Sequence, residues 1–184
     1  MALVASIHVN QGWKLPDMSV KNTDGKVINL QDCMGDNGLL LAFTCNHCPY
    51  AIAIWPRLIK HAARLRAQGV ATIAINPNIH PDFPEDSVPA MGEKITEWGI
   101  DFPYLSDDDQ SVAKAFQAQC TPDLYLFDGQ QALYYHGRMD DYWKDENKVN
   151  TQELLPAVDA MLAKNPAPQL QHPTIGCSIK WLDS

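Results

Sequence analysis

The sequence predicts an α/β fold in which helices flank both faces of a central mixed β-sheet. Apolar runs at 39–44 and 70–75 have the length and aliphatic content of buried strands. The segment 49–68 between them has apolar residues at helical spacing, so the three segments predict a β-α-β unit with parallel strands. The turn signal Asp128-Gly129, between two more apolar runs, adds an antiparallel hairpin to the sheet.

The other elements follow from local signals. Residues 1–16 are expected to be irregular, and Asn22-Thr23-Asp24-Gly25 indicates a hairpin within 19–30. Prolines make 76–89 a long surface loop. Further helices are expected at 90–98, 110–119 and 153–164. Further extended segments are expected at 102–105, 124–127 and 132–135. We expect one domain over 1–164 and an irregular tail, 165–184, whose apolar end packs on that domain.

Length and composition narrow the class of protein. A chain of 184 residues with 46% hydrophobic and 20% charged residues is enough for one sizeable domain. The net charge of -8, without a cluster of Lys and Arg, argues against nucleic acid binding, and no apolar run has membrane length. The N-terminus lacks the pattern of a signal peptide, so we expect a cytoplasmic protein. In a reducing compartment the five cysteines are more often catalytic, metal-binding or buried than disulfide-bonded.

The pair Cys45 and Cys48 forms a C-x-x-C motif where the first predicted strand meets the first predicted helix. This position is typical of dithiol redox chemistry, because backbone N–H groups at a helix start stabilise a thiolate. We therefore expect Cys45 to have the lower pKa and to attack a disulfide, and Cys48 to resolve the mixed disulfide. Asn46 and His47, between the thiols, are expected to modulate them, His47 through a hydrogen bond or a positive charge.

Three motifs together carry a resemblance to a known group. They are 43–50 (FTCNHCPY), 120–123 (CTPD) and 175–181 (IGCSIKW). With the order of elements and a mid-helix Pro56, they resemble the thioredoxin-like superfamily. More closely, they resemble bacterial thioredoxin family or peroxiredoxin-like redoxin proteins related to the alkyl hydroperoxide reductase/thiol-specific antioxidant group. The resemblance implies a thioredoxin-like fold with an N-terminal β-hairpin extension. It also implies a cis peptide bond before Pro122, and a loop in which Thr121 and Pro122 face the C-x-x-C and bind a substrate chain by strand addition.

The other cysteines are candidates of different strength. If the Thr121-Pro122 loop faces Cys45, Cys120 lies close enough to be a third redox thiol, although the favoured interpretation is a small buried apolar residue at a strand start. Cys177 would be a resolving thiol if the tail folds over the site, and otherwise a structural anchor. No function is assigned to Cys33. No carboxylate is assigned as a proton acceptor, and the five remaining histidines are expected on the surface.

These observations predict a thiol–disulfide oxidoreductase without a cofactor. Its expected partners are protein or small-molecule disulfides and a thiol reductant, with no nucleic acid and no membrane. The alternative is a peroxiredoxin-like thiol peroxidase, but the P-x-x-x-T-x-x-C motif is absent, since Leu40 and His47 occupy its proline and cysteine positions around Thr44. A thiolate metal-binding module built from the C-x-x-C, His47 and Cys120 ranks third, because no second C-x-x-C exists, and no metal site is predicted.

Overall fold

The computed structural model describes residues 3–182. Its strands are, in chain order, β1 (Leu3–Ala5), β2 (Ser19–Asn22), β3 (Val27–Asn29), β4 (Gly38–Phe43), β5 (Val70–Asn76), β6 (Tyr104–Ser106), β7 (Cys120–Thr121), β8 (Asp123–Asp128), β9 (Leu133–Gly137) and β10 (Ile175–Ser178). Its α-helices are α1 (Pro49–Ala67), α2 (Val88–Trp98), α3 (Ser111–Ala115) and α4 (Leu154–Leu162). None of the helices within this part of the chain is long and apolar enough to cross a membrane.

The central sheet confirms the predicted mixed α/β architecture. Its seven strands lie in the order β3-β2-β6-β5-β4-β8-β9. The middle strand β4 pairs in parallel with β5 and antiparallel with β8, and both predicted hairpins, β2-β3 and β8-β9, are present. Every residue of β4 is buried because the sheet is covered on both faces.

Alternation along β4 divides the core into two layers. Leu40 and Ala42 contribute to the core beneath α1, whereas Leu39, Leu41 and Phe43 contribute to the core on the opposite face. Successive side chains of a strand point to opposite faces, which is why one apolar run serves both layers. The strand is therefore fixed from both sides where it delivers the C-x-x-C.

Helix α1 begins directly after the C-x-x-C. Cys48 has extended backbone angles and is its N-cap residue, and Pro49 occupies the first helical position, where a missing N–H costs little. Gly69, with φ of 75°, follows the other end. The predicted helix 49–68 is confirmed to within one residue.

The chain ends differ from the prediction. Segments expected to be irregular contain β1 and β10, which pair antiparallel, and β10 also pairs with β7 to form a second, three-stranded sheet. Strands this short depend on partners far away in the sequence, so local patterns do not reveal them. The helix predicted over 110–119 was too long, because α3 ends at Ala115 and Gln117 has a left-handed φ of 56°. The domain boundary at residue 164 stays a prediction.

Candidate redox site

The C-x-x-C lies at the junction of β4 and α1, facing the loop between β7 and β8. The side chains of Cys45 and Cys48 are both 0% exposed. The Cys45 sulfur is 3.2 Å from the hydroxyl of Thr121, and the Cys48 sulfur is 3.3 Å from the backbone oxygen of Thr121. The Thr121–Pro122 bond is cis, as the resemblance implied. The structure thus brings together the four residues predicted for catalysis and substrate binding, and their roles stay predictions.

The thiolate is stabilised at Cys48. A hydrogen bond from the Cys45 thiol is the largest influence that lowers the pKa of Cys48, from its ordinary value of 9.0 to about 5, against the effect of burial. Hydrogen bonds from the thiol of Cys177 and from the backbone N–H of Ala51, in the first turn of α1, act in the same direction. Cys48 therefore combines a helix N-terminus with thiol donors.

Cys45 has the opposite environment. Burial raises its pKa well above the ordinary 9.0, and its hydrogen bond to Cys48 and the negative charge of Asp86 act in the same direction. These directions favour the thiolate at Cys48, opposite to the prediction that Cys45 has the lower pKa, and the attacking role of Cys45 stays a prediction. The hydrogen bond from the Cys45 thiol contributes most to the difference, and α1, which starts at Pro49, adds the N–H of Ala51 as a donor to Cys48.

Asp86 is a buried carboxylate beside the dithiol that the sequence did not reveal. It is 0% exposed, accepts the N–H of Asn46 at 2.6 Å, accepts from the Asn76 side chain at 3.1 Å and pairs with Nδ1 of His47. Asp86 belongs to the segment 76–89, predicted as a surface loop, which folds back so that Asn78 also is fully buried. A proline-rich polar segment has no hydrophobic periodicity, so its sequence does not indicate that the chain folds back into the site.

Asn46 and His47 fasten the C-x-x-C loop to this segment. The Asn46 side chain donates to the backbone oxygen of Glu85 at 2.8 Å and accepts from the hydroxyl of Tyr104 at 2.9 Å. The His47 ring stacks on Phe83 at a centroid distance of 4.8 Å. Both side chains therefore tie the C-x-x-C loop to residues of this segment, Glu85 and Phe83.

The tail places Cys177 in the site. In the antiparallel β10-β7 pair, Cys177 lies opposite Thr121, and its thiol is a hydrogen-bond donor to Cys48. Cys177 packs with Cys45, Cys48 and Ala51 in one buried apolar cluster. Burial, with the hydrogen bond to Cys48, raises the pKa of Cys177 to about 12.

Cys120 and Cys33 have different surroundings. The Cys120 thiol is fully buried and donates to the backbone oxygen of Pro122 at 3.7 Å, and burial and the charge of Asp123 raise its pKa. Cys33 is half-buried and donates to the backbone oxygen of Asn29 at 3.5 Å. Of the candidate third thiols, Cys177 is the one that contacts the C-x-x-C.

The expectation of surface histidines is wrong for His61 and His136. Both are buried, and Nε2 of His136 lies 2.9 Å from Oδ1 of Asp123. Burial lowers the pKa of His61 to about 4. His61 and Arg57 both lie on the buried face of α1, and the apolar stripe of that face does not reveal from the sequence that these polar residues are buried as well.

Metal binding is the least suited chemistry of the site. Donor atoms of Cys45, His47 and Asp86 lie within 4.8 Å of one another, a set that zinc accepts. However, a structural zinc site usually has four protein ligands, and this set offers three. Asp86 is also already hydrogen-bonded to three partners, Asn46, Asn76 and His47.

Comparisons with known proteins agree with the fold. Residues 12–136 match the AhpC/TSA family. The crystal structure of an uncharacterized conserved protein from Geobacillus kaustophilus superposes on this chain with a TM-score of 0.93. The two sequences are 38% identical, and the match covers 100% of this chain and 98% of that one. The thioredoxin domain of a thiol-disulfide oxidoreductase from Bacteroides vulgatus superposes with a TM-score of 0.58, at 15% identity over 70% of this chain and 89% of that one.

One curated relative carries a named activity. The thiol-disulfide oxidoreductase ResA of Bacillus subtilis is 25% identical over 118 residues, which are 64% of this chain and 62% of that protein. The match thus spans less than two thirds of the relative's length. Fold and site together define a thioredoxin-like protein with a buried dithiol. Within that class, the chain belongs to the AhpC/TSA family.

Proposed function

We propose that this protein is a thiol–disulfide oxidoreductase that works through Cys45 and Cys48. The observation that carries the proposal is that both sulfurs contact Thr121 at the cis-proline loop, while the Cys45 thiol donates a hydrogen bond to Cys48. Two thiols in such contact form a disulfide when they pass two electrons to a disulfide substrate. The family membership and the similarity to ResA support the same chemistry.

The environments of the two thiols support an order of reaction in which Cys48 attacks first. The Cys48 thiolate attacks a substrate disulfide, forming a mixed disulfide and releasing one thiolate. Cys45 then attacks the Cys48 sulfur, which releases the second substrate thiolate and leaves the Cys45–Cys48 disulfide. Asp86, with a carboxylate oxygen within 4.8 Å of the Cys45 sulfur, is placed to accept the proton that Cys45 must lose. This order reverses the roles expected from the sequence.

The substrates that fit are protein or small-molecule disulfides, with a thiol reductant that regenerates the dithiol. A cavity of about 160 Å³ lies next to the cis-proline loop, and Ile54, Pro122, Trp143 and Ile175 contribute to its lining. Its apolar wall suits the non-sulfur part of a disulfide substrate. A cytoplasmic location is part of the proposal, and cell fractionation tests it.

Reduction of insulin and of glutathione disulfide tests the proposal. Wild type should reduce both, Cys48→Ser should not turn over, and Cys45→Ser should turn over more slowly than wild type. Cys33→Ser removes a thiol outside the site and should keep wild-type turnover, which makes it the matched control. Equal turnover by wild type and Cys45→Ser would refute the proposal.

The peroxidase alternative has weaker support. A peroxidatic cysteine attacks as a thiolate. Cys48 offers a thiolate, but neither Cys48 nor Cys45 occupies the cysteine position of a P-x-x-x-T-x-x-C motif, which His47 fills. Peroxide consumption with a thiol donor should therefore be slow relative to disulfide reduction, and the opposite ratio would favour a peroxidase.

A further inference from the structure

The C-terminal strand β10 lies where a substrate strand would pair with the cis-proline loop. Cys177 stands opposite Thr121, and Ser178 stands opposite Cys120, in antiparallel register. Pairing of an extended segment with an exposed strand edge is a common mode of peptide recognition. The chain's own tail therefore fills the position expected for a substrate, and it brings a thiol with it.

The close approach of the tail depends on Gly176. A Cβ atom at this residue would lie only 2.2 Å from the backbone oxygen of Thr121, so only glycine permits this contact. On its other edge β10 pairs with β1, where Leu3 stands opposite Cys177. The strand is thus held on both edges, with Cys177 only 5% exposed.

We propose that Cys177 is a third redox thiol that forms a disulfide with Cys48. The inference rests on the proposed exchange function, since it adds a second route by which Cys48 is resolved. Three observations carry it: the register opposite Thr121, the shared apolar cluster with Cys45, and the hydrogen-bonding contact between the Cys177 and Cys48 sulfurs.

The step balances without a further oxidant. A disulfide substrate first reacts with the Cys48 thiolate to give a mixed disulfide and one substrate thiolate. Cys177 then attacks the Cys48 sulfur, the bond from Cys48 to the substrate breaks, and the Cys48–Cys177 bond forms. The second substrate thiolate leaves and takes up the proton that Cys177 loses. Two thiols of the protein are oxidised and one substrate disulfide is reduced.

The negative charge of Cys48 is one of the influences that set the pKa of Cys177. In the dithiol state, the Cys48 thiolate and burial keep the pKa of Cys177 high, so Cys177 holds its proton. Once Cys48 is part of a mixed disulfide, its negative charge is gone. The ammonium group of Lys180, held by the backbone oxygen of Ser178, then remains as an influence that lowers the pKa of Cys177. Loss of the Cys48 charge therefore lowers the pKa of Cys177 at the stage at which it must attack, while burial continues to raise it.

Glutathione disulfide is the probe that tests the inference. The full-length Cys45→Ala variant is treated with it, quenched with acid, alkylated, digested and mapped by mass spectrometry. We expect a linked peptide that joins Cys48 to Cys177, and we expect the Cys45→Ala, Cys177→Ala double variant to lose it and to accumulate glutathione on Cys48. Glutathionylated Cys48 in the single variant with Cys177 free, or a link from Cys48 to Cys120, would overturn the inference.

Two further measurements keep the test independent of any single variant. Wild type in graded glutathione buffers should give both the Cys45–Cys48 and the Cys48–Cys177 linked peptides, and the Cys33→Ser control should give the same pattern. Gly176→Ala should push the tail from Thr121 and reduce the yield of the Cys48–Cys177 peptide alone. If wild type forms only Cys45–Cys48, the inference fails and the proposed function stands. If neither motif cysteine reacts, the proposed function itself fails.

Discussion

Removing the thiol of Cys45 should raise the pKa of Cys48. The hydrogen bond from Cys45 is the largest influence that lowers the pKa of Cys48 to about 5. Cys45→Ala removes this donor but leaves the hydrogen bonds from Cys177 and Ala51. We therefore expect the midpoint to rise by at least about one pH unit. Cys45→Ser keeps a hydroxyl donor and should give a smaller rise, so it is the matched control.

The titration midpoint is a better observable than a rate at neutral pH. Relative to the ordinary value of 9.0, a pKa of about 5 changes the thiolate fraction of Cys48 at neutral pH from about 1% to about 99%. The nucleophilicity of a thiolate falls with its pKa, however, by about 40- to 100-fold over the same interval. The two effects nearly cancel in a rate of alkylation, whereas the midpoint reports the pKa directly.

The assay is the ultraviolet absorbance of thiolate in the reduced protein as a function of pH. Wild type should show one thiolate that titrates near pH 5, and Cys48→Ser should lose it. A low midpoint that persists in Cys48→Ser, or that is the same in wild type and Cys45→Ala, would refute the assignment of the thiolate to Cys48.

Three further predictions concern the surroundings of the dithiol. Asp86→Asn removes a negative charge that raises the pKa of Cys45, so the Cys45 titration should move to lower pH, and an unchanged midpoint would argue against that contact. His61 has a pKa lowered to about 4 by burial, so the unfolded chain, at its ordinary 6.5, binds the proton first as the pH falls. His61 should therefore contribute a loss of up to about 3 kcal/mol of unfolding free energy between pH 6.5 and 4, measured by urea denaturation as the difference between wild type and His61→Gln. Asp140→Ala leaves the buried Arg57 without its ion-pair partner and should cost about 3–5 kcal/mol in the same assay.

Exposed residues supply the matched controls. Glu146 pairs with Lys60 at 2.9 Å, with side chains 47% and 68% exposed, so Glu146→Ala should change the unfolding free energy by less than about 1 kcal/mol. His8→Gln, at an exposed position, should leave the acid sensitivity of wild type unchanged. A loss for Glu146→Ala as large as that for Asp140→Ala would contradict the role of burial, and an acid profile of His61→Gln parallel to wild type would contradict the role of His61.

The central sheet and its C-x-x-C could be predicted because their signals are local. The six-residue run of β4 is buried on both faces, so it needs no alternation to identify it, and α1 combines helical spacing with Pro49 at its start. The cis bond before Pro122 and its place opposite the motif came from the resemblance rather than from any pattern in the residues. The fold and the position of the C-x-x-C could therefore be predicted without the structure.

The electrostatics of the site could not be predicted, because they depend on residues distant in sequence. Asp86 reaches the dithiol through a loop whose composition indicates a surface location, and it disfavours the thiolate of Cys45. The register of β10 against β7 is likewise set by pairing over a long separation, and it decides that Cys177 rather than Cys120 contacts Cys48. The assignment of the thiolate thus required the tertiary contacts.

The most direct test of the account is the state of Cys45 and Cys48 in glutathione buffers of graded redox potential. Wild-type protein is equilibrated, quenched with acid, alkylated and mapped by mass spectrometry. We predict a peptide that links Cys45 and Cys48 at oxidising potentials. This peptide should disappear at reducing potentials through a single two-electron transition. If both cysteines are alkylated separately across the whole range, the protein does not use this dithiol.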